Sequence, residues 1–481
     1  MKASPLRLAI LTALVAGAMV TSPAFAKTRK HHPQKSSQPA QAQPQAQQES
    51  QQIADLKAAL EAQKQVAAEQ QERLEALESK LNATVDVQRA VTENDAAEKK
   101  KEPKLKLGEG LSVQNDKDEV KLYGLLDMTL RSRTNANTQG NTLRDMTTGY
   151  LSGSRWGIQG KHKLGFDDGT MNAIYKLESE YLLRDGSLDT DNVLFNRDAW
   201  IGVESKTLGR VTLGRQNTLG RDFAEVYGIP FAKPQVELTE GGWSNTNVSK
   251  NGIYYLGGAN GTRYNGAIVW KRTFGNLVGG AAYEIGGYNV DDNKLTGPSK
   301  FSYGAAEALA LAYNGSNWTV AGEYNQSKIA MLTHSTWTVG GNVRFGAGFR
   351  INAGYYHYEA EQGAANAAGK RKDDNYTLSA SYQPETSKFN YYLSWEGAKA
   401  KNAGYTSSGY TLAAFKDTSG VIRTGAGNRD AYAATVIYKV DKRVDFYVFS
   451  DYMKTRGGYN DPLTSGYHGT VEVGGGMRLR F

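Results

Sequence analysis

The chain has 481 residues, with 57 Lys and Arg, 49 Asp and Glu, six His and no Cys. The lack of cysteine excludes disulfide frameworks and thiolate metal sites, and no histidines stand in HExxH or another recognised ligand spacing. The net charge of +8 is interleaved with acidic residues along the chain, which argues against a nucleic-acid surface, where basic charge would gather on one face or helix.

In chain order, residues 1–26 read as an export signal. Lys2 and Arg7 form a basic start, "LAILTALVAGAMV" an apolar core too short to span a bilayer, and Ala24-Phe25-Ala26 a small-x-small cleavage site. The competing reading is an anchor that stays attached. Residues 27–51, rich in Gln and Pro with the basic head "KTRKHHPQK", are expected to be disordered. Over 52–90, Ile53, Leu56, Leu60, Leu74, Leu77 and Leu81 fall at a and d positions of one heptad frame, with Gln63, Gln70 and Thr84 at other d positions. That predicts a coiled coil up to ~50 Å long at 1.5 Å per residue; a lone surface helix is the alternative. A charged linker is expected over 91–118. Past the leader no stretch approaches ~20 apolar residues, so no transmembrane helix is predicted. Mean hydropathy is negative, yet there are 28 Tyr and 53 Gly. A secreted globular protein or a transmembrane barrel fits, since half of each barrel strand faces water.

From 119 to 481 the sequence reads as strand after strand. Tyr376, Leu378, Ala380 and Tyr382 alternate with Thr377, Ser379, Ser381 and Gln383; after a turn, Phe389, Tyr391, Leu393 and Trp395 alternate with Asn390, Tyr392, Ser394 and Glu396. Val120, Leu122, Leu126, Met128 and Leu130 alternate likewise with Lys121, Asp127, Thr129 and Arg131. The region's prolines, Pro230, Pro234, Pro298, Pro384 and Pro462, all fall between or at the ends of such segments. Short connections alternate with long ones. The prediction is an all-β transmembrane barrel of about sixteen antiparallel strands, with "AEALALA" (306–312) the weakest in pattern. The second strand is expected over 150–165. A soluble β-sandwich is the competing fold. The final segment ends on Val471, Val473, Met477, Leu479 and Phe481 on the lipid side, with Thr470, Glu472, Arg478 and Arg480 on the other.

On "VKLYGLLDMTL", "SGSRWGIQGKHKLGFDDG", "LFNRDAWIGVESKTLGRVTLGRQ" and the terminal Phe481, the region 119–481 resembles the general trimeric porins of Gram-negative outer membranes. The N-terminal helix is more like certain anion- or dicarboxylate-selective trimeric channels. The resemblance implies a homotrimer among outer-membrane lipids with its N-terminal segment periplasmic. It also implies a third extracellular loop folded into the lumen, here about 221–261, and Phe481 as the signal read by the barrel-assembly machinery. It further implies a basic wall facing an acidic loop. The wall residues would be Arg155, Arg197 and Arg263; parity places Gln159, Lys161 and Lys163 on the lumen side with Arg155, and Arg131 and Lys121 share a lumen parity on the first strand. Arg215 joins them only if its strand bulges or ends there. The loop carboxylates would be Glu237, Glu240 and Glu225.

A pore needs a narrow point and charges that bias passage, with no cofactor and no catalytic residues. The barrel region carries about +6, which favours anions. Passive diffusion of small hydrophilic solutes is the leading expectation. The others are selective anion or dicarboxylate uptake, and a structural tether whose basic head touches peptidoglycan. An outer-membrane enzyme is disfavoured, since His162, His334, His357 and His468 stand in no Ser/His/acid constellation.

Overall fold

The computed structural model describes residues 44–94, 104–108, 110–137, 139–223, 226, 231, 233–238, 262–286, 304–329, 332–361, 369–401, 415–416, 422–423, 426–457 and 469–481. The chain divides into two units, 1–99 and 100–481.

The described residues of the first unit form the helix α1 (Pro44–Asn94). It starts eight residues inside the stretch expected to be disordered. Proline is favoured in the first helical turn, and the Gln and Ala residues that follow are good helix formers. Along it Ile53, Leu56, Leu60, Leu74, Leu77 and Leu81 are all exposed. The 1–26 leader lies outside the described residues.

In the second unit the elements are β1 (Lys104–Gly108), β2 (Gly110–Gln114), β3 (Asp118–Arg133), β4 (Leu143–Thr148), β5 (Arg155–Lys163), β6 (Asn172–Glu180), β7 (Asp198–Ser205) and β8 (Gly209–Asn217). A short helix α2 (Leu219–Phe223) follows, then β9 (Arg263–Phe274), β10 (Leu277–Glu284), β11 (Ala306–Asn314), β12 (Trp318–Ile329), β13 (Leu332–Phe345) and β14 (Phe349–Ala360). The chain continues through β15 (Arg371–Tyr382), β16 (Phe389–Lys401), β17 (Phe415–Lys416), β18 (Ile422–Arg423), β19 (Gly427–Lys439), β20 (Val444–Gly457) and β21 (Gly469–Arg480).

Every barrel strand pairs antiparallel with its sequence neighbour, and β21 pairs back onto β3, with Met477 opposite Met128 and Arg480 opposite Leu125. Sixteen strands thus close on themselves: β3, β5 to β16 and β19 to β21. Closure satisfies the edges of the sheet, which hydrocarbon demands. The seam extends to Phe481, whose N–H donates to Gly124 O and whose carbonyl accepts from Gly124 N–H. The Phe481 ring occupies the space that a side chain at Gly124 would need. Below it β2 takes over the same edge of β3, with Leu111 opposite Leu122. β1 and β2 fall inside the segment expected to be a linker; their short alternations, "KLKLG" and "GLSVQ", pair as a hairpin.

One face of the strands carries exposed apolar residues such as Leu130, Ile201, Leu309, Leu393 and Val448. Two aromatic belts bound this band. At the rim of short turns, Phe345 stacks on Phe349, Phe349 on Tyr382 and Tyr382 on Tyr391. Nearer the other rim, Trp337 meets Tyr355 at 5.1 Å and Tyr355 meets Tyr376 at 5.2 Å. Trp337 and Phe345 lie eight residues apart on β13, a rise of roughly 27 Å before tilt, which matches an apolar band ~25 Å tall.

The inner face departs from its expected pattern in two places. On β11 the inward residues are Ala306, Ala308, Ala310 and Ala312, so polarity hardly alternates. They form, with Val278, Ala282 and Ala321, a smooth floor on which Leu219, Phe223, Val226 and Val236 pack inside the barrel. Gly280 belongs to it: a Cβ there would stand 3.0 Å from the Leu219 side chain and 3.2 Å from Phe223. The second strand, expected to run continuously, is split into β4 and β5. Residues 149–154 turn inward, because Asp127 accepts from the Leu151 and Ser152 N–H groups at 3.1 and 2.8 Å. Tyr150 stacks on Phe449 with ring centres 3.4 Å apart and donates to Asp451.

Candidate pore constriction

The lumen narrows where the segment after β8 enters it. α2 is fixed by Asp222, which accepts from Lys271 Nζ at 2.8 Å and Asn217 Nδ2 at 2.7 Å. Past α2 the chain runs down the inner wall towards the short-turn rim. Asn342 donates to the carbonyls of Val226 and Pro234 at 2.9 and 2.8 Å. Arg344 donates to Pro234 O, and Asn314 exchanges two hydrogen bonds with Val236. Arg210 donates to Leu238 O. Phe231 crosses to the opposite wall, 4.4 Å from Tyr392, and touches the apolar clusters on both sides. The described residues of this stretch, 219–223, 226, 231 and 233–238, therefore form a strap that reaches the lower lumen.

Beside α2 four arginines share one level. Arg155 stands at the start of β5, Arg197 just before β7, Arg263 at the start of β9 and Arg221 on α2 itself. Arg197 donates to Glu178 and to Glu180. Arg155 lies 3.9 Å from Glu178 and donates to Gly153 O. Arg263 donates to Arg197 O at 2.7 Å. Arg221 is buried, and its Nε has no hydrogen-bond partner. Burial, and after it the guanidinia of Arg263, Arg197 and Arg155, hold its pKa well below the ordinary value. On the same wall Lys176 bridges Asp198 at 2.8 Å and Glu178 at 3.4 Å, and Tyr123 donates to Glu178 at 2.7 Å.

Of the expected wall residues, Arg155, Arg197 and Arg263 thus come together. Arg131 faces the lumen elsewhere, held by Asp145 at 2.7 Å and Glu472 at 3.2 Å. Lys161 lies lower, 2.9 Å from Glu119. Arg215 does not join: β8 does bulge, between Gly214 and Gln216, but Arg215 keeps the outer parity opposite Ala199 and donates to Asn196 O and Asn265.

Of the carboxylates expected on the acidic loop, Glu237 alone lies among the described residues. The carboxylates beside the arginines, Glu178, Glu180 and Asp198, come from the wall. The strap brings an arginine, and its Glu237 pairs instead with Lys233 at 2.7 Å. Glu225 and Glu240 lie outside the described residues. Parity within β6 could have located the wall acids, since Lys176, Glu178 and Glu180 alternate with Tyr175, Leu177 and Ser179. Nothing in the sequence marks Arg221, which depends on how α2 docks.

A family model described as Gram-negative porin matches residues 96–458. Over 96 residues the chain is 33% identical to an outer membrane porin protein of Bordetella pertussis; the match takes in 19% of this chain and 24% of that one. The chain thus spans about a quarter of the curated relative it matches. Among solved structures, an anion-selective porin from Comamonas acidovorans covers 76% of this chain and all of its own, at 18% identity and a TM-score of 0.54. A loop-deleted form of the outer membrane protein OmpT of Vibrio cholerae covers 76% of this chain and all of its own, at 15% identity and a TM-score of 0.51. These likenesses are of fold.

Proposed function

The chain belongs to the Gram-negative porin family, whose place is the outer membrane, and from that premise we propose that it is a diffusion channel for small hydrophilic solutes with a mild preference for anions. The observation that carries the reading is the gathering of Arg155, Arg197, Arg221 and Arg263 beside Glu178, Glu180 and Asp198 where the strap narrows the lumen. Charges of both signs at one level set up a field across the passage, and rings of arginine favour anions. Reversal potentials in a salt gradient test this. The wild type should prefer anions, and Arg197→Gln should shift the potential towards cation preference by removing one guanidinium. A cation-preferring wild type would sink the reading.

Self-association belongs to the same proposal. The heptad residues of α1 are exposed along one seam, which suits parallel copies of the helix in a trimer. Specific uptake of anions such as dicarboxylates remains the second reading, supported by the same arginine level; block of current at low substrate concentration would favour it. A tether to peptidoglycan through the basic head is the third.

A further inference from the structure

Below the arginine level the strap leaves a cavity of about 490 Å³ against the wall of β3, β5, β6, β7 and β8. The basic groups that line it are mostly matched. Lys161 pairs with Glu119 at 2.9 Å and Arg210 with Glu204 at 2.9 Å. Lys176 is held by Asp198, and Lys233, which the strap brings in, by Glu237. Lys121 is the exception. Among the described residues it has no carboxylate partner, and its ammonium lies 6.0 Å from the centre of the Tyr123 ring. Directly opposite Lys121 on β5 stands Gln159, exposed to the cavity. Residues so paired across strands have Cβ atoms about 5 Å apart, so the two groups can converge on one planar acceptor. Beside them Trp200 and Ile174 supply an apolar wall, and the Arg210 guanidinium sits 5.4 Å from the Trp200 ring centre.

We propose that this cavity holds a small organic monocarboxylate, its oxygens between the Lys121 ammonium and the Gln159 amide and its apolar body against Trp200. Among the described residues the cavity carries a surplus of one positive charge, which suits a monoanion. Trp200 and Ile174 are both more than nine-tenths buried, so only their edges reach the cavity, enough to suit a small organic body. The site would act as a station below the arginine level, slowing such solutes as they pass. The proposal rests on the diffusion reading only in that the solute must enter the lumen.

The test uses the full chain in planar bilayers, with benzoate as probe against a chloride current. Benzoate should block the wild type in a concentration-dependent way. Lys121→Gln should raise the half-blocking concentration roughly fivefold, the scale of a partly solvated charge pair. Lys121→Arg should keep it within about twofold of wild type. Calorimetric titration of benzoate into the detergent-solubilised chain reads the site without current, and should show the same ranking. No block and no heat in the wild type, or equal values for wild type and Lys121→Gln, would overturn the site. A cation-preferring channel whose benzoate binding still depends on Lys121 would overturn the anion reading and leave the site standing.

Discussion

At Gly153 the backbone lies so near the Glu180 carboxylate that an added Cβ would stand 1.9 Å from one of its oxygens. The obstacle is the end of a flexible side chain, so an alanine there should displace the carboxylate and leave the backbone in place. Glu180 would then lose its grip on Arg197, and the arginine level would gain net positive field. The expected result for Gly153→Ala is a reversal potential moved further towards anions, with unchanged folding; no change in selectivity would show that Glu180 does not shape the field. At this scale sequence parity was a good guide where strands are regular. It placed Arg155 opposite Trp156, and the lipid-facing alternations of β15 and β16 read directly. It was silent where a partner arrives from elsewhere in the chain. Arg221 and the Lys121–Gln159 pair owe their surroundings to the strap and to strand register, which no local spacing records.

Among elements, β11 and α2 explain each other. A strand of alternating alanine and larger residues, "AEALALAY", reads poorly by polarity because its inner face is covered by α2 and not by water. The weakness of the pattern was itself a sign of the docked strap. Gly280 and Gly279 separate the two faces. Gly280→Leu would overpack the floor beneath Leu219 and Phe223, a strain on the order of 1–3 kcal/mol, and should lift α2. Single-channel conductance should then rise and fluctuate, while the barrel stays resistant to heat. Gly279→Leu, on the outer face with its nearest neighbour 3.9 Å away, should leave conductance as in wild type. Equal conductance in both variants would mean that α2 does not limit the passage. The break between β4 and β5 has a similar origin: Asp127 draws 149–154 inward, and from sequence alone "GYLSGS" passes for the start of a strand.

For the whole molecule, the barrel was legible because three signals agreed: period-two alternation, proline exclusion and the short-long rhythm of connections. Strand number followed from them. The N-terminal region was less so, because Gln and Ala suit both a disordered tail and a helix, and here α1 extends back to Pro44. Deleting residues 27–102 tests what that region does. If the helices associate, the trimer should melt at lower temperature than wild type; if the basic head binds peptidoglycan, co-sedimentation with cell-wall material should fall. If neither changes, both roles fail. The seam of the barrel carries one more consequence. β3 leaves the ribosome first of the sixteen strands and receives β21 last, so through all of biogenesis its upper edge waits with open hydrogen-bonding groups. Such an edge invites pairing with other chains. The β1–β2 hairpin, which emerges just ahead of β3, guards only the lower stretch next to Leu122. The remainder of that edge, Leu125 to Arg133, is satisfied only by β21, so a chain cut short before β21 should present it to other chains and aggregate.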